Sequence, residues 1–108
     1  MNSHLNPDEK TLTLRVSGDL VSTAAEPVRN EVLALFGGAA SGPPKWTTFI
    51  LDLTTAKMVD SVGLNLVVSM LKRVQARGAK MRITYSSQDV LRTLNFTRLD
   101  KHIELVKA

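Results

Sequence analysis

Between Thr48 and Gly78 the hydrophobic period changes, and this change limits what the chain can fold into more than any other stretch does. Phe49, Ile50, Leu51 and Leu53 form an apolar run broken only by Asp52 and closed by Thr54 and Thr55, which reads as a strand buried on both faces. A polar loop follows. Leu64, Val67, Val68, Leu71 and Val74 then recur at helical spacing, with Gly78 just past the last turn as a left-handed C-cap. A strand leading into a helix in this way puts Asp60, Ser61 and Gly63 at the helix mouth. Free amides and the positive end of the helix dipole converge there, at the sheet edge where open α/β folds place their ligands and switches.

The flanking segments extend the pattern. Leu12, Leu14 and Val16 alternate with polar residues as a strand with one buried face, and His4 to Asn6 fit a partner strand across a Pro7-Asp8-Glu9-Lys10 turn. Gly18 breaks that strand. Thr23 and Glu26 have capping-box spacing, which predicts a helix with Pro27 in its first turn, a stripe of Val28, Val32, Leu35 and Phe36, and Gly37-Gly38 as its end. Ala39 to Lys45, with Pro43-Pro44, reads as a surface loop. Met81, Ile83 and Tyr85 form a further strand, Ser86 and Asp89 are spaced to cap a short helix carrying Val90, Leu91 and Leu94, and His102 to Val106 close as a last strand. The alternation predicts one α/β domain over residues 1–108: a mixed β-sheet of four to five strands with three to four helices packed against it by right-handed crossovers.

On a helical wheel, Leu64, Val67, Val68, Met70, Leu71 and Val74 gather into one arc, expected to be buried, opposite Asn65, Ser69, Lys72, Arg73 and Ala76. Val62 falls among the polar residues and Leu66 at the boundary. With Met58 and Val59 of the preceding loop they predict an exposed apolar patch around Ser61, the kind of surface a partner docks on.

Composition removes several functional classes. There is no cysteine, so neither a disulfide framework nor a thiolate metal site is available. Met1 to Lys10 lacks the apolar core of a secretory signal and no apolar run is long enough to span a bilayer, which predicts a cytoplasmic protein with no membrane role. The net charge of +4 invites nucleic acid, but the basic residues are scattered and aromatic content is only 5%, so no stacking platform accompanies them and no nucleic-acid partner is expected. A serine-hydrolase elbow needs glycine where Val59 stands, and His4 and His102 sit near opposite termini. Asp19, Asp52 and Asp60 are read as turn-forming and capping residues in preference to Mg²⁺ ligands, and no catalytic role, metal or cofactor is assigned.

The residues at the helix mouth also carry a family resemblance. The strand, the approach Met58-Val59 and then Asp60-Ser61-x-Gly63-Leu64 resemble the signature of STAS domains, the family of bacterial anti-sigma factor antagonists. Ser17-Gly18-Asp19-Leu20 with Thr23-Ala24 resembles the family's first turn, and Val90 to Leu105 its last helix and strand, so nearly the whole chain is covered. Three positions depart from the pattern: Val62 stands where a second small hydroxyl residue is common, Val21 where an acidic residue often follows, and Arg98 where glycine is frequent.

The resemblance implies a non-enzymatic signalling protein that binds an anti-sigma factor, itself a serine kinase, and frees the sigma factor. It implies Ser61 as the residue that the kinase phosphorylates, with Asp19, Met58, Val59, Asp60, Ser61, Val62, Gly63 and Leu66 as the partner-binding set. A PPM-type phosphatase joins the partners as the enzyme that reverses the mark, and the chain itself is expected as a monomer or weak homodimer. The same resemblance admits a second reading, a non-switching STAS scaffold subunit of a stress-signalling or lipid-transport complex. Read from the residues alone, Asp60 or Ser61 would simply cap the helix.

Overall fold

Strand alternation determines how the layers stack in the computed structural model, which describes residues 2–36 and 46–108. The described elements are β1 (Asn2–Asn6), β2 (Thr11–Arg15), α1 (Ser22–Phe36), β3 (Thr48–Leu53), α2 (Ser61–Ala76), β4 (Lys80–Tyr85), α3 (Gln88–Phe96) and β5 (Glu104–Lys107), with a 3₁₀ turn at Leu99–Lys101 before β5. The five strands lie in sequence order, β1-β2-β3-β4-β5. β1 is antiparallel to β2 and every later pair is parallel. Parallel neighbours joined in this order by right-handed crossovers place all three helices on one face of the sheet.

Burial agrees with that arrangement. Leu12 and Leu14, Phe49, Leu51 and Leu53, and Met81, Ile83 and Tyr85 point into the core. The reverse face carries Thr13, Ile50, Asp52, Arg82 and Thr84, all half-buried, and the exposed Arg15 and Lys80. Cross-strand neighbours on that face pair as ions, Arg15 with Asp52 at 3.7 Å and Arg82 with Glu104 at 2.9 Å. The expectation of a β3 buried on both faces is therefore corrected: only one face is covered by helices, and Ile50 and Asp52 belong to the open one.

The helices close the core from above. Ala25, Val28, Val32 and Phe36 of α1 and Leu66, Val67, Met70, Leu71 and Val74 of α2 are buried with Val90 and Leu94 of α3. At the N-terminal end of β3, Phe36 meets Phe49 edge-on at 4.9 Å and Trp46 at 5.2 Å, with the Arg77 guanidinium 5.4 Å from the Trp46 ring.

Several boundaries differ from those the sequence predicted. α1 begins at Ser22, so Thr23 and Glu26 lie exposed inside the helix and make no capping box, and Pro27 falls in the second turn. α3 begins at Gln88 after Ser87, whose side chain makes no capping bond; Ser86 donates instead to the Thr54 carbonyl, and Asp89 pairs with Arg92. The last strand starts two residues later and ends one residue later than expected, and His102 lies in the turn before it. β1 begins two residues before the predicted His4, and the turn after it and the left-handed Gly78 are as predicted. Gly37-Gly38 and the Ala39–Lys45 loop lie outside the described residues.

Candidate functional site

Three loops meet at the C-terminal edge of the parallel strands: residues 16–21 after β2, 54–60 after β3 and 86–87 after β4. Side chains of turn-forming type stitch them together. Thr55 Oγ1 donates to the Val16 carbonyl at 2.9 Å and accepts from the Gly18 amide at 3.0 Å, in a turn that Gly18 makes at φ 81°. Asp19 Oδ1 accepts from the Lys57 amide at 2.7 Å, and the hydroxyls of Ser86 and Ser87 donate to the carbonyls of Thr54 and Lys57. The loop before α2 is thus held on both sides by its neighbours, and Met58 at its tip is 56% exposed.

Leu20 and Val59 form an isolated parallel bridge, with Leu20 N donating to the Met58 carbonyl at 3.1 Å and Asp60 N to the Leu20 carbonyl at 3.3 Å. α2 starts directly against this bridge. A Cβ on Gly63 would stand 2.1 Å from the Leu20 carbonyl oxygen, so only glycine lets the first turn approach that closely.

Asp60 is the N-cap of α2, extended at φ −89° and ψ −176°, and its Oδ1 accepts from the Gly63 amide at 2.8 Å. Its other oxygen, Oδ2, accepts from the Ser22 amide at 2.9 Å, the first residue of α1. One carboxylate therefore serves the starts of two helices. The Gly63 amide is the main cause that holds the Asp60 carboxyl below its ordinary pKa of 3.8; desolvation opposes it, and the Ser22 amide adds to it.

Ser61, the first residue of α2, is exposed, and Asp60 does the capping in its place. Around it the predicted set divides. Asp19, Met58, Ser61 and Val62 are at the surface, with Val62 38% exposed, and Asp60 is half-buried. Val59, Gly63 and Leu66 of the partner-binding set are buried, at 5% exposure for Val59 and 3% for Leu66, so Val59 and Leu66 are withdrawn from the exposed patch. Their role is to seat the loop and helix on the core. Leu64 and Val68, placed in the buried arc from the wheel, are only half-buried.

Asp19, Asp52 and Asp60 do not converge as ligands. Asp19 and Asp60 bind separate backbone amides, and Asp52 accepts from the Thr54 amide and hydroxyl. Among the described residues no group of histidine and carboxylate side chains could hold a metal ion. Two contributors escaped the sequence. Ser22 gives only its amide, for which no side chain is a signal. Phe96, 88% exposed, could have been found, because it falls opposite the Val90 and Leu94 stripe of α3.

These elements make a two-layer α/β domain that presents an exposed serine beside a capped helix start at the parallel-strand edge. The sequence model of the STAS domain matches residues 4–108, and the chain belongs to that family. Solved structures give the same fold at low identity. TM1081 of Thermotoga maritima, described as an anti-sigma factor antagonist, superposes with a TM-score of 0.83 at 18% identity over 99% of this chain and 86% of its own. An anti-sigma factor antagonist of Mycobacterium paratuberculosis gives 0.75 at 19% identity over 97% and 84%. The Bacillus cell fate determinant SpoIIAA in its phosphorylated form gives 0.65 at 20% identity over 91% and 84%. No curated protein sequence matches the chain. No helix among the described residues is long and apolar enough to cross a membrane.

Proposed function

We propose that this STAS domain is an anti-sigma factor antagonist that binds an anti-sigma factor serine kinase through Asp19, Met58, Val62 and the exposed first turn of α2, and so releases the sigma factor. Phosphorylation of Ser61 switches the binding off, and a PPM-type phosphatase restores it. The observation that carries this reading is the division of labour at the helix start: Asp60 holds the free amides, and Ser61 stands exposed beside it. A phosphate on Ser61 adds about −1.5 to −2 charges where the helix dipole tolerates an anion. The fold survives the modification while the docking surface becomes repulsive to an acidic or closely packed partner. SpoIIAA, similar in fold, has been solved in a phosphorylated form, which supports a covalent switch on this scaffold.

Incubation with the candidate serine kinase, ATP and Mg²⁺ tests the proposal by intact mass. One added phosphate is expected, absent in Ser61→Ala, and Ser61→Glu is expected to bind the kinase at least about tenfold more weakly through like-charge repulsion or desolvation. Wild-type affinity in Ser61→Glu would overturn the switch. The exposed Val62 beside Ser61 favours the second reading, a scaffold subunit; constitutive binding with no phosphate gained would establish that instead.

A further inference from the structure

Between α2 and α3 a groove of about 270 Å³ is lined by Leu64, Arg92, Thr93, Phe96 and Thr97. Its most unusual wall is Phe96, a large aromatic ring with 88% of its surface in solvent, on the side of α3 that the core does not use. The walls are apolar beyond the ring. Thr97 turns its hydroxyl back to its own helix, donating to the carbonyls of Leu94 at 2.9 Å and Thr93 at 3.3 Å, so its donor is spent before any ligand arrives.

We propose that this groove docks an acidic amphipathic helix of a protein partner, with Phe96 as the anchor. Shape argues for a helix: the groove runs along α3 with Leu64 of α2 as its far wall, and an apolar surface along one helix accepts the side-chain row of another, at i, i+3 or i+4, and i+7. Charge argues for an acidic one. Arg92 is the one charged residue of the lining, Arg98 follows the end of α3, and Lys72 continues the Leu64–Val68 row of α2. The Arg92 guanidinium meets Asp89 only at 3.6 Å, with the two side chains 80% and 76% exposed, and a pair this loose yields readily to an incoming carboxylate. The chain's net charge of +4 steers the same partner from a distance. The groove adjoins the Ser61 switch, because Leu64 lies in the first turn of α2, but its anchor stands on α3 and the inference does not rest on that switch.

The test titrates the full ¹⁵N-labelled chain with a stapled peptide of about four turns, carrying leucines on one face and glutamates on its flanks, and with its lysine-for-glutamate twin. The acidic peptide is expected to shift the resonances of Leu64, Thr93, Phe96 and Thr97. Phe96→Ala and Arg92→Glu are each expected to weaken it at least about tenfold, as removal of an anchor or of its charge partner does. Both side chains are exposed, so thermal melts of the variants should match wild type. Equal binding of the two peptides, shifts confined to other surfaces, no shift at all, or wild-type binding by Phe96→Ala would overturn the proposal. So would sedimentation showing a wild-type dimer that Phe96→Ala dissociates, which would make the groove an interface between copies of this chain.

Discussion

Asp60 holds amides of two helices with one carboxylate, and the charge on that carboxylate is what makes both bonds strong. Its pKa is lowered in the fold, so the sign of the pH effect follows: the stabilisation is complete above the unfolded-state value near 3.8 and is lost as pH falls through the lower folded-state value. Asp60→Asn should therefore melt below wild type at neutral pH, with the gap closing as the pH drops below about 4, where wild type loses the same charge. Unfolding midpoints measured across that range check it. Arg98 is the opposite case, a residue held where its side chain is a disadvantage. It sits at φ 61° and ψ 22° between α3 and the 3₁₀ turn, in the left-handed conformation that glycine adopts without a Cβ penalty. That conformation costs a non-glycine residue about 1–2 kcal/mol, and the extra unfolded-state freedom of glycine takes back roughly 0.5–1. Arg98→Gly is expected to gain a few tenths to about 1 kcal/mol in denaturant unfolding.

At the scale of elements, α2 shows what the sequence could reveal and where it stopped. Its start after Asp60, its end before the left-handed Gly78 and its apolar stripe were all legible, because period and caps are local properties. Its rotation on the sheet was not. The wheel treated Gly63 as a residue of the mouth, whereas the buried row runs Gly63, Leu66, Val67, Met70 and Val74, at i, i+3, i+4, i+7 and i+11. The helix turns that way because glycine allows it to touch the Leu20 carbonyl, a contact 43 positions away in sequence that no local pattern reports. Leu66→Ala should accordingly cost about 2–5 kcal/mol, whereas Val62→Ala should stay within about 0.5 kcal/mol, a difference that urea titrations resolve. The α1 start escaped for a similar reason: its cap comes from Asp60, across the fold, and the local Thr23 and Glu26 only imitate one.

For the whole molecule, the sequential strand order matters most, because it sends α1, α2 and α3 to one side. Adjacent residues of β3 consequently meet different environments. Leu51 is fully buried and Ile50 is half-buried on the open face, so Leu51→Ala should destabilise by about 2–5 kcal/mol and Ile50→Thr by well under half of that. An apolar run in a sheet with both faces covered would have made the two equal, which is why the sequence of β3 alone misled. The same strand separates two ends of the molecule. Trp46, the chain's single tryptophan, packs with Phe36 and Phe49 at the N-terminal end of β3, whereas Ser61 follows its C-terminal end. Indole emission is thus a built-in gauge of global unfolding that stays silent when Ser61 is modified or its face is occupied, and a spectral change on phosphorylation would mean that the signal had travelled the length of the sheet.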